Sequence, residues 1–223
     1  MEITDAVSAR LDIKKDLMLM ASTGIIGRPL PLEKIKSGLR ALVKNLSGAN
    51  GTSFAKAIMT TDTVHKEIAV QINIKGKAVR LAGAVKGAGM ICPNMATMLA
   101  FFTTDATIEK QALKQAFKES IYDSFNKITV DGDMSTNDSA IVFANGQAGN
   151  SIIKKNTKDY FIFLEAVKFA AKELSRKIIL DGEGATRFVE IIVKGAKREL
   201  SAELIARRIA NSNLVKTMIA GGD

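Results

Sequence analysis

The chain has 223 residues, 47% hydrophobic and 25% charged, an ordinary globular composition long enough for one sizeable core or two lobes sharing one. A single cysteine, Cys92, excludes an internal disulfide framework, and a single histidine, His65, leaves too few soft ligands for a structural zinc site and one imidazole for any serine triad. Lys and Arg exceed Asp and Glu by 32 to 23, a net charge of +9, yet the basic residues are scattered pairs and there is no Trp and only 2 Tyr, a poor platform for stacking nucleic-acid bases.

In chain order, Asp16–Ala21 reads as a short strand ending in Ser22-Thr23-Gly24-Ile25-Ile26-Gly27. Pro31 suits a first helical position, and Leu32, Ile35, Leu39, Leu42, Val43 and Leu46 recur at helical spacing. Residues 47–52 read as a loop. Ile68, Val70, Ile72 and Ile74 alternate along an extended stretch, and Lys75-Gly76-Lys77 turns the chain toward Val79 and Leu81, which predicts a hairpin. A buried strand is expected at Met98–Phe102, after the glycine-rich Lys86–Gly89. Thr107 is a candidate N-cap for a helix through Lys127. Asp131–Asp138 is a polar loop, Ala140–Ala144 a strand, Asp159–Lys177 a helix, Phe188–Val193 a strand and Leu200–Ala210 a last helix. Strands and helices thus both contribute, an α/β class with at least one antiparallel pair. The longest apolar runs, such as Met95–Phe102, fall well short of a membrane span, and the acidic start lacks an apolar secretory core, so the cytoplasm is the expected compartment.

The run Lys86-Gly87-Ala88-Gly89-Met90-Ile91-Cys92-Pro93-Asn94-Met95-Ala96-Thr97 is the most unusual part of the chain. Its glycines and proline bring a flexible backbone up to a threonine that opens an apolar strand. Attack of Thr97 Oγ on the Ala96 carbonyl would give an ester, and hydrolysis would leave Thr97 with a free α-amine. Nucleophile and base would then reside in one residue, which answers the shortage of histidine. On spacing alone, however, a threonine opening a strand is an ordinary β-branched residue. Ser22-Thr23-Gly24 can pair a hydroxyl with a backbone N–H, as an oxyanion requires, or form a simple turn. Thr60-Thr61-Asp62-Thr63 suits a carboxylate, an ammonium or a helix cap. Asp181-Gly182-Glu183-Gly184 offers two carboxylates in a turn without calcium-loop spacing, and Asp131–Asp138 lacks the closing glutamate of such a loop. Cys92 reads as a small hydrophobe.

Taken together, Lys86–Ala106 resembles the self-cleavage region of the ornithine acetyltransferases, also called glutamate N-acetyltransferases. Ser22–Gly27, Met59–Thr63, Asp131–Asp138, Asp181–Thr186 and Ile209–Asp223 match further segments of that family in the same order. The resemblance covers essentially the whole chain. It implies a layered α/β arrangement of sheets and helices of the N-terminal-nucleophile kind. It also implies cleavage between Ala96 and Thr97, which divides residues 1–96 from residues 97–223 around one shared core. Thr97 becomes the nucleophile and Thr23 with Gly24 the oxyanion pair. Thr60, Lys86, Thr97 and Glu183 become substrate contacts, with Lys86 facing a carboxylate and Glu183 an ammonium.

The implied reaction carries acetyl from N-acetylornithine to glutamate through an acetyl-threonine, with no cofactor or metal. Acetyl-CoA is a further donor if the enzyme is bifunctional. Paired α and β fragments assembling into a heterotetramer are the implied partners; neither nucleic acid nor membrane is expected. Relative to the family, Ala88, Cys92, His65 and Met134 are departures, and the resemblance implies that members usually carry a substantial segment before the equivalent of Asp5 and another after that of Asp223. Two other readings stay open: a related amidohydrolase or aminopeptidase in which water resolves the acyl-threonine, and an inactive fragment serving as an interaction module.

Overall fold

The computed structural model describes residues 2–92 and 98–222, which form two compact units divided between Phe54 and Ala55. In the first unit, α1 (Glu2–Leu11) packs against α2 (Leu32–Lys44). Acidic Glu2 and Asp5 in the first turn of α1 and Arg10 in its last complement the helix dipole. Leu39 is the buried anchor of α2, whereas Leu42 and Leu46, expected on the same apolar face, are exposed. Pro31 sits one position ahead of its expected place, as the residue capping α2. The segment expected as a strand at 16–21 forms a single 3₁₀ turn, Lys15–Leu17, and then runs irregularly. A strand is stable only with a hydrogen-bonded neighbour, and among the described residues none pairs with it. The helix α3 (Gly51–Ala57) follows, with Ala55 buried.

The second unit is built on one four-stranded sheet, β1 (Lys66–Ile74), β2 (Lys77–Lys86), β3 (Leu99–Thr104) and β4 (Ser139–Ala144), in that spatial order. The expected hairpin is present: Ile74 pairs with Lys77, and Lys75 and Gly76 between them both take positive φ, 49° and 85°. That is the type I′ turn whose twist matches antiparallel strands, and Asn73 Oδ1 accepts the Gly76 N–H at 2.8 Å. β2 and β3 are antiparallel, with Lys86 opposite Leu99, while β3 and β4 are parallel. A parallel pair needs a crossover, and α4 (Lys110–Tyr122) lies in it.

The core lies on one face of this sheet, under α4 and the 23-residue α5 (Lys158–Leu180). Thr157 caps α5 by accepting the Tyr160 N–H at 3.2 Å. Phe102 stands at the centre, with the rings of Phe117 and Phe125 edge-on at 5.4 and 6.5 Å. Gly83 permits this packing: a Cβ there would lie 2.9 Å from Leu174 Cδ1 and 3.0 Å from the Phe102 ring.

Three sequence expectations change in this unit. Thr107 does not cap α4; its hydroxyl donates to Gly146 O, and the helix begins after Glu109 and ends at Tyr122 rather than Lys127. Residues 188–193 form no strand among the described residues, for want of a neighbour to pair with. The C-terminal region holds two helices, α6 (Glu199–Ala210) and α7 (Asn213–Gly221), where one was expected. Ser212 caps α7, and Gly222 closes it at φ 75°. The mixed α/β class expected from the sequence is the class observed.

Candidate functional site

The site is assembled where β2 ends and β1, β3 and β4 begin. Lys66 opens β1, Lys86 ends β2, Leu99 opens β3 opposite Lys86, and Ser139 opens β4 opposite Leu99. Each strand has a polar or glycine-rich segment next to it at this end. Thr60–Thr63 precedes β1, the glycine-rich run follows β2, and Asp131–Asp138 precedes β4. The turn carrying Asp181 and Glu183 leaves the C-terminus of α5.

A buried lysine joins these segments. Lys66 is 0% exposed, and its Nζ donates to Asp62 Oδ1 at 2.6 Å and to Asp181 Oδ2 at 2.5 Å. Desolvating an ammonium costs several kcal/mol, roughly, so a lysine in this position requires such partners. Asp62 does more than neutralise charge. Its Oδ1 also accepts the Gly87 N–H at 2.7 Å, and its Oδ2 accepts the Thr60 N–H at 3.0 Å. Asp181 is held in turn by Thr63, whose amide reaches Oδ2 at 3.1 Å and whose hydroxyl bonds Oδ1. Burial pushes the Asp62 carboxyl up, but the Gly87 amide, the Lys66 ammonium and the Thr60 amide together hold it below the ordinary carboxylate range. Burial likewise acts upward on Asp181, and Lys66 with Thr63 outweighs it.

Lys86 is 2% exposed, and burial draws its ammonium below the usual lysine range, against the charges of Asp62 and Asp138. Glu183 is exposed at the surface of the turn; its N–H donates to Ala88 O at 2.8 Å. Its carboxylate lies against the α-carbon of Gly89, where a Cβ would come within 2.5 Å of the carboxyl carbon. The cation Lys86 and the anion Glu183 are therefore carried on two segments bonded backbone to backbone.

The loop before β4 holds both flanks of residues 93–97. Asp131 accepts the Met90 N–H at 2.5 Å and the Ile91 N–H at 3.0 Å, and Val130 N–H donates to Ile91 O at 2.8 Å. On the far side, Asp138 accepts the Met98 N–H. Burial raises the Asp138 carboxyl, opposed by that amide and by the Lys86 charge. Burial also raises the Cys92 thiol, which fits a side chain serving as a small hydrophobe.

Of the residues expected from the sequence, Thr60, Lys86 and Glu183 fall on segments that one hydrogen-bonded network ties together. Thr23 and Gly24 lie in an irregular stretch of the first unit, Thr23 half-buried and Gly24 exposed. Ala96 and Thr97 lie outside the described residues. Sequence reasoning missed Lys66 altogether: its spacing of four from Asp62 signals a pair only on a helix, and residues 62–66 are not helical. It left Asp62 open between a ligand contact and a helix cap and placed Asp181 in a turn without calcium-loop spacing; both turn inward onto that lysine. Among the described residues no group of acidic, histidine or cysteine side chains is arranged to hold a metal ion. No described helix is long and apolar enough to cross a membrane.

Comparison with known proteins adds a lineage to this geometry. A model of the ArgJ family matches residues 1–223. The chain is 51% identical over 222 residues to the Arginine biosynthesis bifunctional protein ArgJ of Dehalococcoides mccartyi, covering 100% of this chain and 54% of that protein. It is 49% identical over 217 residues to the protein of the same name from Caldanaerobacter subterraneus subsp. tengcongensis, covering 97% of this chain and 54% of that one. The chain thus spans about half the length of the curated relatives it matches. The crystal structure of Arginine biosynthesis bifunctional protein argJ from Bacillus halodurans is similar with a TM-score of 0.55 and 43% identity, over 57% of this chain and 60% of that chain. The resemblance read from the sequence holds at the level of lineage: the chain belongs to the ArgJ family.

Proposed function

We propose that this chain forms the core of a self-processing acyltransferase of arginine biosynthesis that moves acetyl from N-acetylornithine to glutamate. The observation that carries the reading is the pairing of a buried cation with an accessible anion. Lys86 stands directly opposite Leu99, two residues beyond Thr97, and Glu183 rests on Gly89 of the same run. An amino-acid substrate presents one carboxylate and one ammonium, and these two side chains complement them. The naming of the relatives as arginine biosynthesis proteins supports the same substrate class.

Thr97 Oγ attacks the Ala96 carbonyl, and hydrolysis of the resulting ester frees the Thr97 amine. That amine then accepts the hydroxyl proton as Oγ attacks the acetyl carbonyl of N-acetylornithine. Thr23 and Gly24 donate to the developing oxyanion, and ornithine departs with the proton. Glutamate's amine attacks the acetyl ester and N-acetylglutamate leaves, restoring the threonine. Thr60, Lys86 and Glu183 hold the two amino acids in turn. Acetyl-CoA is a second acetyl donor in a bifunctional form, consistent with the relatives' name. The fragments ending at Ala96 and beginning at Thr97 stay together because β2 and β3 pair across the cut, and such pairs assemble into a heterotetramer in the cytoplasm.

Intact-mass measurement tests the reading. Self-cleavage gives fragments of 96 and 127 residues, together the 223 of the chain. N-acetylornithine adds one acetyl group to the larger fragment, and labelled glutamate removes it as N-acetylglutamate. Thr97→Ala stays intact and takes up no acetyl. A wild-type chain that remains whole and unmodified overturns the proposal. Release of free acetate without transfer to glutamate identifies a hydrolase instead.

A further inference from the structure

We infer that the buried Asp62–Lys66–Asp181 bridge is a positioning device that locks the three substrate-binding segments of this site into one frame. The inference rests on reading Thr60, Lys86 and Glu183 as substrate contacts. None of the bridging residues is placed to touch substrate: Lys66 is 0% exposed, Asp62 8% and Asp181 9%. Together they nevertheless connect all three substrate-binding segments. Asp62 holds the Thr60 amide with one oxygen and the Gly87 amide, next to Lys86, with the other. Asp181 stands two residues before Glu183, in the turn whose Glu183 amide bonds Ala88 O. Lys66 joins the two carboxylates.

The arrangement is costly for fold stability alone. A lysine between two buried carboxylates is no more stabilising than well-packed apolar residues of similar volume, and its advantage is a fixed geometry with few alternatives. The bridge also settles the local charge. At Lys86 the positive charge of Lys66 opposes the negative charge of Asp62, so the field there is not set by a bare Asp62 carboxylate. Because the bridge acts through the binding residues, its loss raises KM and leaves the acyl-transfer step largely intact.

Asp181→Asn preserves shape and an acceptor for Thr63 while removing the charge that faces Lys66. In the full chain, amide hydrogen exchange at Thr60 and Gly87, which Asp62 holds and Asp181 does not touch, speeds up by about tenfold, with α4 unchanged. In acetyl transfer, KM for N-acetylornithine rises about tenfold while kcat stays within about twofold. Faster exchange confined to Thr63 and residues 181–185 overturns the inference, as does a fall in kcat at constant KM. A wild-type chain that transfers no acetyl counts against the proposed function, and the exchange pattern still decides whether the frame exists. Should Asp181→Asn fail to fold, Thr63→Val, which removes the hydroxyl bond to Asp181, gives the same exchange pattern at smaller amplitude. An unchanged rate at Thr60 and Gly87 in that variant rejects the coupling.

Discussion

Asp138 accepts the Met98 N–H through Oδ1 at 2.8 Å, and its buried Oδ2 has no hydrogen-bond partner among the described residues. The carboxylate therefore pins the residue that follows the proposed nucleophile. Asp131 pins the backbone on the other flank of the same run. Asp138→Ala removes the acceptor and frees the Met98 amide. Self-cleavage between Ala96 and Thr97 should slow by about ten- to a hundredfold, since small misplacements of reacting groups cost that much. Fragment accumulation followed by denaturing electrophoresis checks this. Asp138→Asn, which keeps an acceptor for Met98, should cleave faster than the alanine variant.

The bridge centred on Lys66 predicts both a mutational and a pH effect. Lys66→Met leaves two buried carboxylates without their shared counter-ion, a change that costs about 3–5 kcal/mol of stability. Asp62 and Asp181 titrate below the ordinary carboxylate range in the folded chain. Their contribution is fully present above the unfolded value of about 3.9 and is lost as pH falls through their lower folded values. Asp138, raised by burial, acts in the opposite sense: the unfolded chain releases its proton first, so stability falls as pH rises from about 3.9 through the folded value. Urea unfolding across the acid range should show a loss of stability below about pH 3.9, and Asp138→Asn should remove the opposing trend above that value. A flat profile for the wild type would contradict the assignment of Asp62 and Asp181.

Gly83→Ala tests the sheet–helix core. The added Cβ would meet Leu174 Cδ1 at 2.9 Å and Phe102 at 3.0 Å, and both neighbours are fully buried. Neither can move without disturbing the centre of the core, so overpacking should cost about 1–3 kcal/mol. The drop is read from the urea midpoint, with the slope of the transition unchanged.

Gly89→Ala separates binding from folding. Here the added Cβ falls 2.5 Å from the Glu183 carboxyl carbon, the far end of a flexible side chain that can swing away. Stability should change by less than about 1 kcal/mol, while KM for N-acetylornithine rises about ten- to a hundredfold as the carboxylate is displaced. Steady-state kinetics beside a thermal melt distinguishes the two effects.

Lys86 gives the site its own pH limit. Burial keeps its ammonium below the usual lysine range, so its proton leaves earlier on the alkaline side than an exposed lysine's. Affinity for a substrate carboxylate should fall at a pH below the ordinary lysine value of about 10.4, and Lys86→Arg, which stays charged, should shift that limit upward. The same depression means that fold stability rises with pH through the folded value of Lys86, because the unfolded chain holds the proton longer.

The elements whose formation depends on local pattern were legible in the sequence. The helical recurrence from Leu32 to Leu46, the helix read at Asp159–Lys177 and the alternation on both sides of Lys75-Gly76 are local patterns; both helices and the hairpin form, with bounds Leu32–Lys44 and Lys158–Leu180 for the helices. The glycine-rich run before Thr97 also pointed to the family, which the comparisons show. Partnership is what the sequence left open. Residues 16–21 and 188–193 carry strand-like patterns and form no strand, because a strand's hydrogen bonds belong to a neighbour that its own sequence does not specify. Likewise Asp62, Lys66 and Asp181 are, as letters, two acids in polar turns and an unremarkable lysine. Only the fold brings residues 115 apart within 2.5 Å and buries them, and burial turns three solvated charges into a mutually dependent set.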